Sequence, residues 1–460
     1  MTKLSLSPIA NARRHRGQAL ILTLLLLALG LSLFLVGQVD SRSVAERRAA
    51  QTRTVLAETK RALIAWSAAR TPPPSSSSWI RPGELPCPDM NNNGLDDDGG
   101  CAPGAIGRVP WKALGIVEPV DGTGETLWYA ISGPFRYKYT PTTPPITSRT
   151  VGNLTVKHNS SVPFLNSSTT NLTQQAIAVL FAPGSPQATQ IRSTATASCA
   201  TTGTTIARNS CATNYLEAIG SGVGAGNNAY TGGPFIQAAT SPGFNDQVLA
   251  ITSADLMPLI EQRVAREILS LLKQYYDSTG VYPWPDRGGN GTSNVGYNRS
   301  HFPCSAPEPF AWGRTSPPVT PALPDWLTNG CGDSDSWTEN IYYSAAQNRL
   351  PPGCTTCTSA TLLIANSDIG HLCSSSPGPL TCTLTQVSIG PADVILMTPG
   401  TYNVGTSSWP DPRLPPLLGF TGDDIIGYFE DYENSHQDDD VYVLPATSTR
   451  LDHDRIYILR

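Results

Sequence analysis

The chain has 460 residues, 40% of them apolar and 15% charged, with a formal net charge of -5. That length and apolar content provide for two or three packed domains and exclude a chain disordered throughout. Outside the first residues there is no basic stripe able to follow a phosphate backbone, so no nucleic acid partner is expected.

Lys3, Arg13, Arg14 and Arg16 precede an uncharged run from Ala19 to Val36. At 1.5 Å per residue that run approaches the roughly 30 Å of a bilayer's hydrocarbon core. A single transmembrane helix is expected at 18–37, with the basic residues on the cytoplasmic side. "LFLVGQVDS" holds no A-x-A cleavage pattern, so the segment is expected to stay on the chain. No Gly or Pro interrupts Val39 to Arg70, where Val55, Leu56, Leu63, Ile64 and Trp66 form an apolar stripe. One continuous helix of about fifty residues is predicted, about 75 Å long, its second half docked on a domain.

The next stretch, "LPCPDMNNNGLDDDGGC", is the most chemical-looking loop of the chain. Asp89, Asn91, Asn93 and Asp97 fall at positions one, three, five and nine of an EF-hand-like loop, with Gly94 at the sharp sixth position. Position twelve, where a bidentate Glu belongs, is Gly100, so a calcium shell would need Asp96, Asp98 or distant acids. The other reading is an Asx-rich turn closed by a Cys87–Cys101 disulfide.

Self-comparison then organises the rest of the chain. "LPCPD" at Leu85 is echoed by "YPWPD" at Tyr282, "DGTGETLWYAIS" at Asp121 by "DSWTENIYYSAA" at Asp335, and "AIAVLFAPG" at Ala176 by "ADVILMTPG" at Ala392. "YLE" at Tyr215 matches "YFE" at Tyr428, and "NDQVLAI" at Asn245 matches "HDRIYIL" at His453. The order is kept and the spacing is roughly 200 residues, which predicts two tandem modules at 38–251 and 252–460. The second opens with a helix capped by Ser253 or Thr252, with Leu256, Ile260, Val264, Ile268, Leu271, Leu272 and Tyr275 on one face and Gly280 as its stop. Short strands such as Ile177 to Phe181 and Val394 to Met397 then give an α+β class, each module an antiparallel sheet packed on one helix.

Ten cysteines in irregular loops suggest disulfides formed in an oxidising compartment, with Cys87 and Cys101, Cys199 and Cys211, and Cys304 and Cys331 as neighbours in sequence. The pairing of Cys354, Cys357, Cys373 and Cys382 stays open; "CTTC" also has zinc-ligand and redox spacing, without a second ligand pair or a helix start. A second acidic stretch gathers Glu430, Asp431, Glu433, Asp438, Asp439 and Asp440, as a solvated face or a second calcium-binding cluster. No HExxH or GxSxG motif is present, and the histidines are isolated, so no catalytic residue is assigned.

The basic leader ending in Gly17, followed by a helix that begins apolar and turns amphipathic, resembles type IV pilins and the pseudopilins of type II secretion systems. The resemblance implies a prepilin peptidase cut between Gly17 and Gln18, methylation of the new amino terminus, and assembly with other pilins or pseudopilins through the helix. The family's mature chain usually has Phe first and Glu fifth; Gln18 and Leu22 stand there in this sequence, a departure shared by some large minor subunits at filament tips. Large minor pseudopilins also bind calcium, which extends to the loop at Asp89. The layout expected is a leader at 1–17, a transmembrane helix at 18–37 and two pilin-like modules. The function implied is a non-enzymatic minor subunit, held in the bacterial inner membrane by a single pass with its bulk in the periplasm or on a surface filament, which it caps or initiates. A tip adhesin or substrate-binding protein is the alternative, and a membrane-anchored enzyme has no constellation to support it.

Overall fold

A computed structural model describes residues 12–69, 81–97, 101–136, 144–159, 171–187, 189–199, 205–219, 226–241, 243–285, 299–303, 324–328, 336–353, 362–366, 388–398, 441–444 and 455–460. The class is mixed α+β with small sheets.

The first element, α1 (Ala12–Ala69), is one unbroken helix of 58 residues. In its second half Thr52, Leu56, Thr59, Leu63 and Ser67 are buried, spaced three or four apart so that they line one face. Thr52 Oγ1 also accepts from Gly122 N at 3.0 Å, fixing the helix to the 121–125 loop. A Cβ at Gly122 would run into the Arg48 carbonyl oxygen, so the approach needs glycine.

The amino-terminal half corrects the expected single-pass inner-membrane anchor. Among the described residues, no helix is long and apolar enough to cross a membrane. The helix runs unbroken from Ala12, so the backbone of Arg13, Arg14 and Arg16 is helical.

After α1 come β1 (Ile106–Arg108), β2 (Trp128–Ile131), β3 (Leu154–Asn159), β4 (Asn171–Ala176) and β5 (Ala178–Ala182). They are followed by β6 (Thr196–Ser198), β7 (Thr205–Ala207), β8 (Ala218–Ile219), β9 (Gly226–Asn227), β10 (Phe235–Ala238) and β11 (Gln247–Ile251). The remainder comprises α2 (Ser253–Thr279), β12 (Arg299–His301), α3 (Asp325–Thr328), α4 (Trp337–Asn340) and β13 (Tyr342–Ala345). Last are β14 (Leu362–Asn366), β15 (Ser388–Ala392), β16 (Val394–Thr398), β17 (Val441–Leu444) and β18 (Arg455–Leu459).

One four-stranded antiparallel sheet has the order β1-β2-β5-β11; another has β12-β13-β16-β18. Beside them lie three-stranded sheets of order β10-β3-β4 and β15-β14-β17. Each of these holds one parallel pair, β10 with β3 and β17 with β14, which corrects the expectation of purely antiparallel sheets. Parallel partners need a long crossover, and the chain between β3 and β10, like that between β14 and β17, provides one.

The central strands β5 and β16 are buried at every position, which is why "AVLFA" and "VILMT" read as unbroken apolar runs. Ala178, Leu180 and Ala182 face one core while Val179 and Phe181 face another, shared with Trp128, Val156 and Phe235. In the second half Val394 and Leu396 join the larger core, and Ile395 and Met397 pack with Tyr342 and Leu362.

The larger core joins both halves: Leu56 and Leu63 of α1, Ile260, Val264 and Ile268 of α2, and inward residues of both four-stranded sheets belong to it. Between the helices, the Lys60 ammonium lies 2.7 Å from Asp255, and Arg263 Nη1 donates to the Ala68 carbonyl at 3.1 Å, satisfying an orphan carbonyl at the end of α1. Thr252 caps α2, with its N–H donating to Asp255 Oδ2 at 2.8 Å, and Gly280 ends it in the left-handed region at φ 77°.

Candidate functional site

The Asx-rich loop is the first place where the sequence-predicted residues meet. Asp89 Oδ1 accepts from the N–H groups of Asn91 and Asn93 at 3.2 and 3.1 Å, and Asp89 Oδ2 from Gly94 N at 2.6 Å. Asp97 closes the loop, accepting from Met90 N and from Asn91 Nδ2, each at 2.9 Å. Asn91 and Asn93 each accept from the N–H two residues on, the geometry of successive Asx turns. Asn92 and Gly94 adopt positive φ, 62° and 81°, and Gly94 lies against Trp111, which leaves no room for a Cβ. The Cys87–Cys101 bridge ties the two ends, with Cα atoms 5.6 Å apart.

Four oxygen-bearing side chains therefore surround one turn, and the Lys112 ammonium donates to the Asn93 carbonyl at its rim. Such a concentration of hard oxygen donors fits calcium by ligand type, with Asp89, Asn91, Asn93 and Asp97 as the residues that would hold it. Asp98 and Gly100 lie outside the described residues. Among the described residues, no cluster of three or more His, Cys, Asp or Glu suited to a metal is present.

The second feature is the exposed end of α1. Leu20, Ile21, Leu22, Leu24, Leu25, Leu26, Leu27, Leu29 and Leu31 are all more than half exposed, Leu27 reaching 70%. Successive positions of a helix point in every direction, so this stretch is apolar all round. Gly17 and Gln18, the expected processing point, lie within the same helix.

Cys199 and Cys211 form the second bridge, with Cα atoms 5.7 Å apart. Cys304, Cys331, Cys354, Cys357, Cys373 and Cys382 lie outside the described residues, as does the acidic stretch with Glu430, Asp431, Glu433, Asp438, Asp439 and Asp440.

Two clusters escaped sequence reasoning. Tyr215 lies between guanidinium groups, Arg108 at 4.7 Å and Arg192 at 4.5 Å from its ring centre. Burial first of all, opposed by both arginines, pushes its phenol above the ordinary range. Next to it, Glu217 and Asp246 are buried together with Asn228. The available signal was the repeat, since Tyr215, Glu217 and Asp246 all fall within echoed landmarks.

No protein-family model, no curated protein and no solved structure matches the chain.

Proposed function

We propose that this chain is a non-enzymatic, pilin-like filament subunit made of two tandem modules, which enters an assembly through the first part of α1. The observation that carries the reading is the apolar collar Leu20 to Leu31, exposed on every side of a helix whose other end is docked in a core. A helix that is apolar all round is stable in water only when other chains cover it, and helices of like subunits are the natural cover. Processing between Gly17 and Gln18 would remove Arg13, Arg14 and Arg16 and leave the collar intact. Leu22 supplies no carboxylate for a neighbour's amine, which suits an initiating or capping position.

The tandem reading is supported by bonds that recur in register. Tyr129 Oη donates to the Pro86 carbonyl at 3.2 Å, and Tyr343 Oη to the Pro283 carbonyl at 3.0 Å. Burial raises both phenols well above their ordinary range, so each remains a donor. Ser132 N bonds Ile177 O as Ala346 N bonds Asp393 O, and Ile177 N bonds Ile251 O as Asp393 N bonds Leu459 O. The single-turn helices Gly133–Phe135 and Gln347–Arg349 follow β2 and β13 at the same point.

Replacing Leu24 and Leu27 together with glutamate tests the assembly role. Burial of each leucine contributes about 1.5–3 kcal/mol, so the double change should weaken co-assembly by more than about a hundredfold. The thermal midpoint of the isolated subunit should hardly move, because both side chains are exposed in it. Co-sedimentation with filaments sheared from cells is the readout, and undiminished incorporation of the variant would reject the proposal.

A second reading is favoured by the gathered oxygens of the Asp89 loop: the loop takes up calcium as a structural clasp. Calcium at about a hundred times its dissociation constant should then stabilise the folded chain by about 2.7 kcal/mol, because it binds only that state. Melting curves in excess calcium and in chelator should differ for the native chain and coincide for Asp89→Asn; coincident curves for the native chain would leave the loop a turn.

A further inference from the structure

Glu217 and Asp246 hold each other's backbone. Asp246 Oδ2 accepts from Glu217 N at 2.9 Å, while Glu217 Oε2 accepts from the N–H groups of Asn245 and Asp246 at 3.0 and 3.2 Å. This exchange sets two carboxyl groups side by side where Glu217 is 8% and Asp246 2% exposed. Asn228 Nδ2 donates to Asp246 Oδ2 at 2.8 Å, and Asn228 Oδ1 accepts from Ile236 N at 2.7 Å, carrying the link into β10. Gln190 Nε2 donates to Glu217 Oε1 at 2.6 Å.

The arginines beside Tyr215 are engaged elsewhere. Arg192 donates to Gln190 Oε1, Gly184 O and Asn214 O, and its ion partner is Glu125 at 3.0 Å. Arg108 stacks on Tyr215 and donates to Asn209 O. Among the described residues, neither Glu217 nor Asp246 takes part in an ion pair. Burial above all, and then the Glu217 charge, drives the Asp246 carboxyl well above the ordinary carboxylate range. Two desolvated like charges side by side cannot both persist, so one acid keeps its proton.

We propose that Asp246 keeps its proton beside Glu217 and that the two acids form a pH-sensitive latch over the outer core of the first half. The latch ties the segment bearing Ala212, Tyr215 and Leu216, all in that core, to the start of β11 and through Asn228 to β10. Loss of the proton puts two charges in a site built for one, and the outer layer loosens. The sequence echoes both acids at Glu430 and Asp454, which lie outside the described residues.

The sign follows from proton binding. The folded chain holds this proton more tightly than the unfolded chain, where Asp titrates near its usual value of about 3.9. Stability is therefore full below about pH 4 and falls as pH rises through the raised folded value, by at most about tenfold in the folding constant per pH unit.

Denaturation of the disulfide-intact full chain, from about pH 4.5 to pH 9, should show this fall. Asp246→Asn, whose amide supplies a permanent donor in place of the proton, should gain stability relative to the native chain as pH rises. Parallel pH profiles for the two proteins overturn the proposal. Should Asp246→Asn not fold, Glu217→Gln removes the charge beside Asp246 and should make the fall with pH shallower. The native chain alone gives an independent reading: a protonated-carboxyl infrared band that persists above the pH range of ordinary carboxylic acids and vanishes on raising the pH further supports the latch, and its absence overturns it.

Discussion

Replacing Cys87 and Cys101 together with alanine should lower the stability of the chain by about 3 kcal/mol, from the chain entropy released when a loop of this length is opened. The bridge spans a sequence separation of 14, and Cys87 is fully buried. Its surroundings make the loss cooperative. Asp89 exchanges backbone bonds with Arg108 of β1, both at 2.9 Å, and Leu85 N bonds Phe135 O at 2.8 Å beside β2. Opening the bridge therefore frees the edge of the first four-stranded sheet as well as the loop. The Cys199–Cys211 bridge has a similar separation, 12, but spans the exposed hairpin β6–β7, so its removal should act more locally. Urea denaturation of both double variants makes the comparison. A loss below about 1 kcal/mol at Cys87 and Cys101 would mean that the five hydrogen bonds to Asp89 and Asp97 hold the loop unaided.

The elements most legible in the sequence were those set by local chemistry. Thr252 and Gly280 bound α2 because a capping hydroxyl and a left-handed glycine act within a turn of the helix. β5 and β16 showed themselves by apolar runs too short for helices. The landmarks "LPCPD" and "YPWPD" could be matched as letters. Their cause, a buried phenol donating to a prolyl carbonyl, appears only when Tyr129 and Tyr343 are placed in space.

What stayed hidden was non-local. Nothing in "LTVKHN" announces a parallel partner at Phe235, because the pairing depends on a long connection. The repeat gave no sign that α1 and α2 pack together, so that one core takes residues from both halves. Glu217 and Asp246 look like ordinary surface acids until the fold encloses them. Hydropathy also overreached at the amino terminus, where it suggested a membrane span: among the described residues, no helix is long and apolar enough to cross a membrane.

Arg455→Ala is expected to have the other large effect. Glu261 lies on α2 with no exposed surface, where its Oε2 atom is 3.2 Å from Arg455 Nε of β18 and accepts from Thr398 Oγ1 of β16 at 3.2 Å. Thr398 and Arg455 are themselves register partners, so the acid is fixed at one end of the second sheet. The corresponding partners in the first sheet are Ala182 and Gln247, neither of them charged. The ion pair is therefore peculiar to how α2 meets its sheet rather than a requirement of the strand order. Removing the guanidinium takes one partner from a carboxylate in the interior, which costs about 3–5 kcal/mol for fully buried pairs; Arg455 is 38% exposed, so the lower end is expected. Glu261→Leu combined with Arg455→Met removes both charges while keeping apolar bulk, and should recover most or all of that loss. The double-mutant cycle separates the pair's own coupling from the desolvation of Glu261. If Arg455→Ala alone costs less than about 1 kcal/mol, Thr398 and the other groups around Glu261, or water, hold its charge without Arg455.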